Sequence, residues 1–136
     1  MNTALATRTV APAWKLWTGR VLSALPVLML LLSASMKLSH APAFIEKWAT
    51  FGFAEAMATP IGVIELACAA LYVIPKTRVL GAILVTGYLG GAIATHVRVA
   101  DFGSVAPPLF LGIFAWAGLF FRDGRVSALI PLVSDE

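Results

Sequence analysis

The chain has 136 residues, 60 % of them hydrophobic and only 12 % charged, with a formal net charge of +3. A soluble domain is about a quarter charged, so the balance excludes an ordinary soluble domain, and the length suits one domain. The basic residues flank apolar runs rather than forming a patch, which excludes a nucleic-acid surface. The single cysteine, Cys68, excludes an intrachain disulfide, a CxxC redox pair and a cysteine-rich zinc site.

Residues 1–14 lack apolar periodicity and read as a flexible N-terminus. A transmembrane domain is expected over 15–125 and a C-terminal tail over 126–136. Four apolar runs fill the domain: about Arg20 to Lys37, Thr59 to Ile74, Arg78 to Arg98 and Val105 to Phe121. A helix needs about 20 residues to cross a bilayer, with about 17 the lower end. The third run fits, whereas the second and fourth must borrow flanking residues or sit beside thinned lipid. The runs lack the polar stripes of a soluble bundle and the alternation of strands. The fold class is therefore all-α, a membrane-spanning four-helix bundle. Arg8, Lys15 and Arg20 precede the first run and Ser33-Ala34-Ser35 resembles a signal cleavage site, but three further runs argue for a retained helix. Pro26 predicts a kink within it.

Between the first two runs, Phe44, Trp48 and Phe51 repeat at i, i+4 and i+7 while Glu46, Lys47 and Thr50 take other faces. This is either a short amphipathic helix in the headgroup plane or an aromatic plug over the bundle mouth. Pro75, with Lys76, Thr77 and Arg78, makes a basic turn after the second run. Asp101 and Gly103 break the chain after the third, and Pro107 and Pro108 suit the first turn of the fourth helix. Four crossings place both termini on one side. That side carries Arg8, Lys15, Arg20, Lys76, Arg78, Arg122 and Arg125, and the other carries Lys37, Lys47 and Arg98. The basic excess makes the first side, with both termini, cytoplasmic. Gly87 and Gly91 form a GxxxG pair, read as close packing within the chain in preference to a homo-oligomer face.

The candidate chemistry lies in the outer half. Glu65 sits in a run that is otherwise apolar, small or aromatic, about 7.5 Å below Pro60 along a helix. Ionisable groups at such depth are costly and mark function by default. Ser33 and Lys37 share a face of the first helix. Gly62, Glu65, Cys68, Ala69 and Tyr72 share one on the second, and Tyr88, Ala92 and His96, with Thr95 beside them, on the third. These stripes are expected to converge on an outward-facing polar pocket. Glu65 and His96 are its candidate catalytic, proton-exchanging residues. Ser33, Lys37, Tyr72, Tyr88, Thr95 and Arg98 are candidate ligand-binding residues, with Lys37 and Arg98 as counter-ions for Glu65. The plain alternative is that Lys37 and Arg98 snorkel to the interface and Glu65 is a structural acid. His96, with one distant acid, makes no metal site, and His40 falls in a loop.

Three segments carry a resemblance to a known family. They are Ser33-Ala34-Ser35-Met36-Lys37-Leu38, Ile61-Gly62-Val63-Ile64-Glu65-Leu66, and Gly81-Ala82-Ile83-Leu84 continuing into Tyr88-Leu89-Gly90-Gly91-Ala92-Ile93-Ala94-Thr95-His96-Val97-Arg98. From about Trp17 to Phe121 the chain resembles the DoxX-like membrane proteins, small four-helix bundles. That family takes its name from a thiosulfate:quinone oxidoreductase subunit, so the resemblance implies a membrane redox role. Cys68 stands alone and there is no flavin, haem or iron–sulfur motif, so quinone or a partner redox subunit would have to carry electrons. Three readings stay open: a bilayer protein binding a quinone or small lipophilic ligand in support of redox chemistry; an isomerase or hydrolase using Glu65 as general acid or base; and a structural or assembly subunit of a membrane complex.

Overall fold

A computed structural model describes residues 11–129. Arg8 and the rest of 1–10, and the tail over 130–136, lie outside the described residues. Among the described residues six α-helices run in order: α1 (Ala13–Leu38), α2 (Pro42–Thr50), α3 (Ala58–Val73), α4 (Arg78–Arg98), α5 (Ala106–Arg122) and α6 (Gly124–Leu129). No strand occurs among the described residues. Among the described residues four segments are long and apolar enough to cross a membrane: α1, Glu55–Val73, α4 and Phe102–Arg122. The short second and fourth runs reach spanning length by taking in 3₁₀ turns at Glu55–Met57 and Phe102–Ser104. Pro107 and Pro108 fall in the first turn of α5, where a missing N–H costs nothing. Helix α1 continues through Pro26.

The four long helices form a ring, α1–α3–α4–α5, each packing on its two ring neighbours. Glycines set three of the crossings. A Cβ at Gly19 of α1 would lie 2.9 Å from the Gly118 carbonyl oxygen of α5. One at Gly62 of α3 would lie 3.1 Å from Lys37 Cβ of α1. One at Gly81 of α4 would overlap the backbone of Leu71 and Tyr72 on α3. Such close approach replaces the hydrophobic effect as the source of packing energy in lipid. Gly87 and Gly91 behave differently, since nothing lies within 4 Å of a Cβ at either. The close packing expected of that pair belongs instead to Gly81, two turns nearer the start of the helix.

With the end of the bundle that carries α2 called outer and the opposite end inner, the core of the inner half holds Ala69, Tyr72, Ala82, Val85 and Leu119. Tyr72, 1 % exposed, donates its hydroxyl to the Ala115 carbonyl oxygen at 2.7 Å and meets Ser23 Oγ at 2.9 Å, which satisfies a phenol that apolar surroundings would otherwise penalise. Outward, Leu28, Leu32, Val63, Ile83, Phe110 and Ile113 are each more than half exposed. These apolar faces on spanning helices are what a bilayer covers, and the chain is a multi-pass membrane protein.

Two helix ends shape the outer side. At the end of α1, His40 N–H reaches the Lys37 carbonyl and Ala41 N–H the Met36 carbonyl, with His40 at φ 51°. At the end of α4, Ala100 N–H reaches the Val97 carbonyl and Asp101 N–H the His96 carbonyl, with Ala100 at φ 59°. Both are Schellman closures built on a left-handed residue. The first turns the chain into α2. The second folds Asp101 back over the last turn of α4.

Candidate outer pocket

A cavity of about 530 Å³ occupies the outer half of the ring. Its floor is an ion pair. Glu65 on α3 and Lys37 on α1 are 1 % and 5 % exposed, and Lys37 Nζ donates to Glu65 Oε2 at 2.9 Å. Lys37 also donates to Ser33 Oγ one turn earlier on its own helix. The ammonium lies 5.1 Å from the Phe44 ring centre and 5.9 Å from that of Tyr88, so aromatic faces supply part of the solvation that water would give. Gly62 permits this arrangement, because its missing side chain lets α3 close on α1 beside Lys37. A pair so deeply buried loses more hydration than its Coulomb attraction returns unless further donors and acceptors complete it, as Ser33 and the two rings do here.

The roof is the segment from α2 to α3. Its aromatic face lines the cavity through Phe44, Trp48, Phe51 and Phe53. Trp48 stacks on Phe53 at 4.6 Å between ring centres and anchors its indole N–H on the Ala54 carbonyl at 3.0 Å. The stretch is thus a short helix, α2, whose aromatic side chains line the cavity.

The far wall comes from α4. Gly87, Tyr88, Gly91, Thr95 and His96 line the cavity. Thr95 spends its hydroxyl on the Gly91 carbonyl at 2.9 Å. The His96 and Phe51 rings stand nearly perpendicular with their centres 5.0 Å apart, and His96 Nδ1 is 3.1 Å from Asp101 Oδ2. Asp101 in turn lies 3.8 Å from Lys47 Nζ of α2. Hydrogen bonding from the Ser104 side chain, and then from His96, holds the Asp101 carboxyl below its ordinary value. One flank of the cavity is left open: Ile61 and Ile64 of α3 face Gly87 and Gly91 of α4, and Ile64 is 55 % exposed. Helices α3 and α4 touch backbone to backbone at Gly81 and leave this gap nearer the outer side.

Of the residues singled out from sequence, the cavity brings together Ser33, Lys37, Glu65, Tyr88, Thr95 and His96. Tyr72 is not among its lining residues and is spent on Ser23 and Ala115 in the inner half. Arg98 also lies off the lining. Its guanidinium donates to the Phe51 carbonyl and sits 5.8 Å from the Phe53 ring, so it braces the roof, and Lys37 is the base that meets Glu65. His40 joins Glu55 Oε1 at 3.0 Å and Thr59 Oγ1 at 2.9 Å, which ties the end of α1 to the start of α3. From sequence Asp101 is a helix breaker and Lys47 a polar-face residue and one of the outer-side bases, and neither is a candidate site residue. No group of three or more His, Cys, Asp or Glu side chains that could hold a metal occurs among the described residues.

Comparison with known proteins finds no matching curated protein and no matching solved structure. The family model of the DoxX-like family matches residues 21–118, which takes in the pocket from Met29 to Leu111. The four crossing helices and that match agree, and the chain belongs to the DoxX-like family.

Proposed function

We propose that the outer cavity binds a quinone or a similar small lipophilic molecule with an oxygen-bearing ring, and that the protein supports membrane redox chemistry by holding it. The observation that carries this reading is the cavity's composition: an aromatic roof over a buried, charge-neutral Lys37–Glu65 pair, with a flank open between α3 and α4. Ligand sites are mostly apolar hollows of about 300–1,000 Å³ with a few convergent polar groups. About 530 Å³ suits one ring and a short stretch of tail. The rest of a long tail would leave through the gap lined by Ile61, Ile64, Gly87 and Gly91. A quinone, when bound, supplies electron transfer that the side chains do not. The chain's own work is then to donate a hydrogen bond from Lys37 to a ring oxygen, to stack the ring against Trp48 and Phe44, and to exchange protons through Glu65 and His96. A partner redox subunit would complete the electron route.

The same reading places the protein in a bacterial inner membrane with the termini cytoplasmic. Its support is the gathering of Lys15, Arg20, Lys76, Arg78, Arg122 and Arg125 at the end of the bundle opposite the pocket. One observation favours a purely structural role for Glu65, namely its pairing with Lys37 across α1 and α3. Native mass spectrometry of protein extracted with its lipids separates the two. A bound quinone mass that Glu65→Gln loses while the fold survives supports ligand binding. Protein without any small-molecule mass, which also fails to take up added short-chain benzoquinone, overturns it. Turnover of a lipophilic ester or isomerisable substrate by purified protein, without an electron carrier, would favour the isomerase or hydrolase reading instead.

A further inference from the structure

We infer that Asp101 is a positioning residue that sets His96 as the proton exit of the pocket, with the imidazole Nε2 turned to the ligand and Nδ1–H turned to the outer face. The inference rests on the proposed pocket and adds a route out of it. Three observations on separate elements carry it. His96 lines the cavity, so its ring is available from inside. Its Nδ1 is 3.1 Å from Asp101 Oδ2. The carboxylate is about one-third exposed and is flanked by Lys47 of α2 at 3.8 Å, so it stands at the outer surface.

A carboxylate has only lone pairs to offer, so the nitrogen facing it carries the hydrogen. The other nitrogen of neutral imidazole is then an acceptor. This leaves Nε2 as the only unengaged basic atom of the ring. A ligand hydroxyl reaching His96 therefore donates to Nε2. If its proton is transferred, the ligand O–H bond breaks as the Nε2–H bond forms, and the imidazolium is held by Asp101. The Nδ1 proton then passes by way of Asp101 to outer water, restoring neutral imidazole with its hydrogen on the ligand side. A ring rotation that carries the protonated nitrogen round to Asp101, and leaves the bare one facing the cavity, resets it. No electron moves in this step.

The backbone supplies the precision. Asp101 reaches His96 because the Schellman closure of α4 bonds Asp101 N–H to the His96 carbonyl at 2.9 Å. The same residue pair is thus tied twice, once through backbone and once through side chains. Phe51 packs perpendicular to the His96 ring, and Arg98, two residues on along the same helix, donates instead to the Phe51 carbonyl. The charged groups that face this unit are Asp101 and Lys47 at the surface and the Lys37–Glu65 pair across the cavity.

The test uses full-length protein in lipid nanodiscs with ¹⁵N-labelled histidine. The chain has two histidines, so His40→Gln leaves the His96 signal alone. The expected result is the Nδ1–H tautomer in neutral His96, lost in Asp101→Ala and kept in Asp101→Asn, whose amide oxygen still accepts. In parallel, affinity for a short-chain benzoquinol is read by equilibrium dialysis. It should fall about tenfold in Asp101→Ala, the scale of one hydrogen bond to a charged group. An Nε2–H tautomer in the wild type, or an Asp101→Ala protein with unchanged tautomer and affinity, overturns the inference. If the wild type binds no benzoquinol, the proposed function falls, and the tautomer measurement still decides the role of Asp101.

Discussion

Lys37 Nζ and Glu65 Oε2 meet at 2.9 Å with almost no exposure of either side chain, and they join α1 to α3 beneath the aromatic roof. Each charge there is tolerable only because of the other. Lys37→Met should therefore cost about 3 kcal/mol or more, since it strands a buried carboxylate. The double variant Lys37→Met with Glu65→Leu should recover most of that loss. Unfolding in mixed micelles checks both. Equal stability of Lys37→Met and wild type would show that the pair carries no structural weight.

Gly87 and Gly91 border the open flank with free space about their α-carbons. Gly91→Phe should leave stability unchanged or raise it by up to about 1 kcal/mol, because glycine is a poor helix former. It should also reduce benzoquinone binding at least tenfold by filling the gap. Gly81→Leu should fail to give folded protein, since its side chain would have to enter the backbone of α3. Thermal unfolding and ligand uptake measured on the same preparations distinguish these outcomes.

Tyr72 tests whether the site ends where the cavity ends. Tyr72→Phe removes the hydrogen bonds to Ser23 and Ala115 and should destabilise by about 1–2 kcal/mol. Benzoquinone affinity should stay within about twofold of wild type. A tenfold loss of affinity would move Tyr72 into the binding machinery.

Asp123 carries a pH signature at the opposite end. Arg125 donates to its carboxylate through side chain and backbone, and Arg78 lies 3.8 Å away, so its carboxyl is held below the ordinary range. A carboxyl depressed in the folded state stabilises above its unfolded value, near pH 3.9, and loses that contribution as pH falls through the folded value. The melting temperature should drop between about pH 5 and about pH 3. Asp123→Asn should lower it at neutral pH and shrink the acid-side drop.

Much of this was legible in the residues. The four spans follow from run length and from prolines placed where helices begin and end, and Glu65 announces itself as an acid in an apolar run. The i, i+4 geometry of Ser33 and Lys37 put both on one face, and the fold joins them by a hydrogen bond. The choice of Lys37 over Arg98 as the partner of Glu65 was not legible, because both stand at outer helix ends. The distinction comes from Gly62, which draws α3 onto α1. Asp101 was hidden for a different reason. Its approach to His96 depends on Ala100 adopting φ 59°, a left-handed conformation that a non-glycine residue does not advertise. The GxxxG pair misled because small residues leave room for a neighbour or for empty space, and spacing alone does not say which.

The backbone contact at Gly81 also sets the angle at which α4 leaves α3. Fifteen residues separate it from His96, about 22 Å of helix. Tilting α4 by about 5° there would swing the imidazole sideways by about 2 Å while barely disturbing the inner core. A substitution that alters the crossing angle at Gly81 is therefore magnified at the mouth of the cavity, and is felt at His96 more than at the Tyr72 hydrogen bonds below.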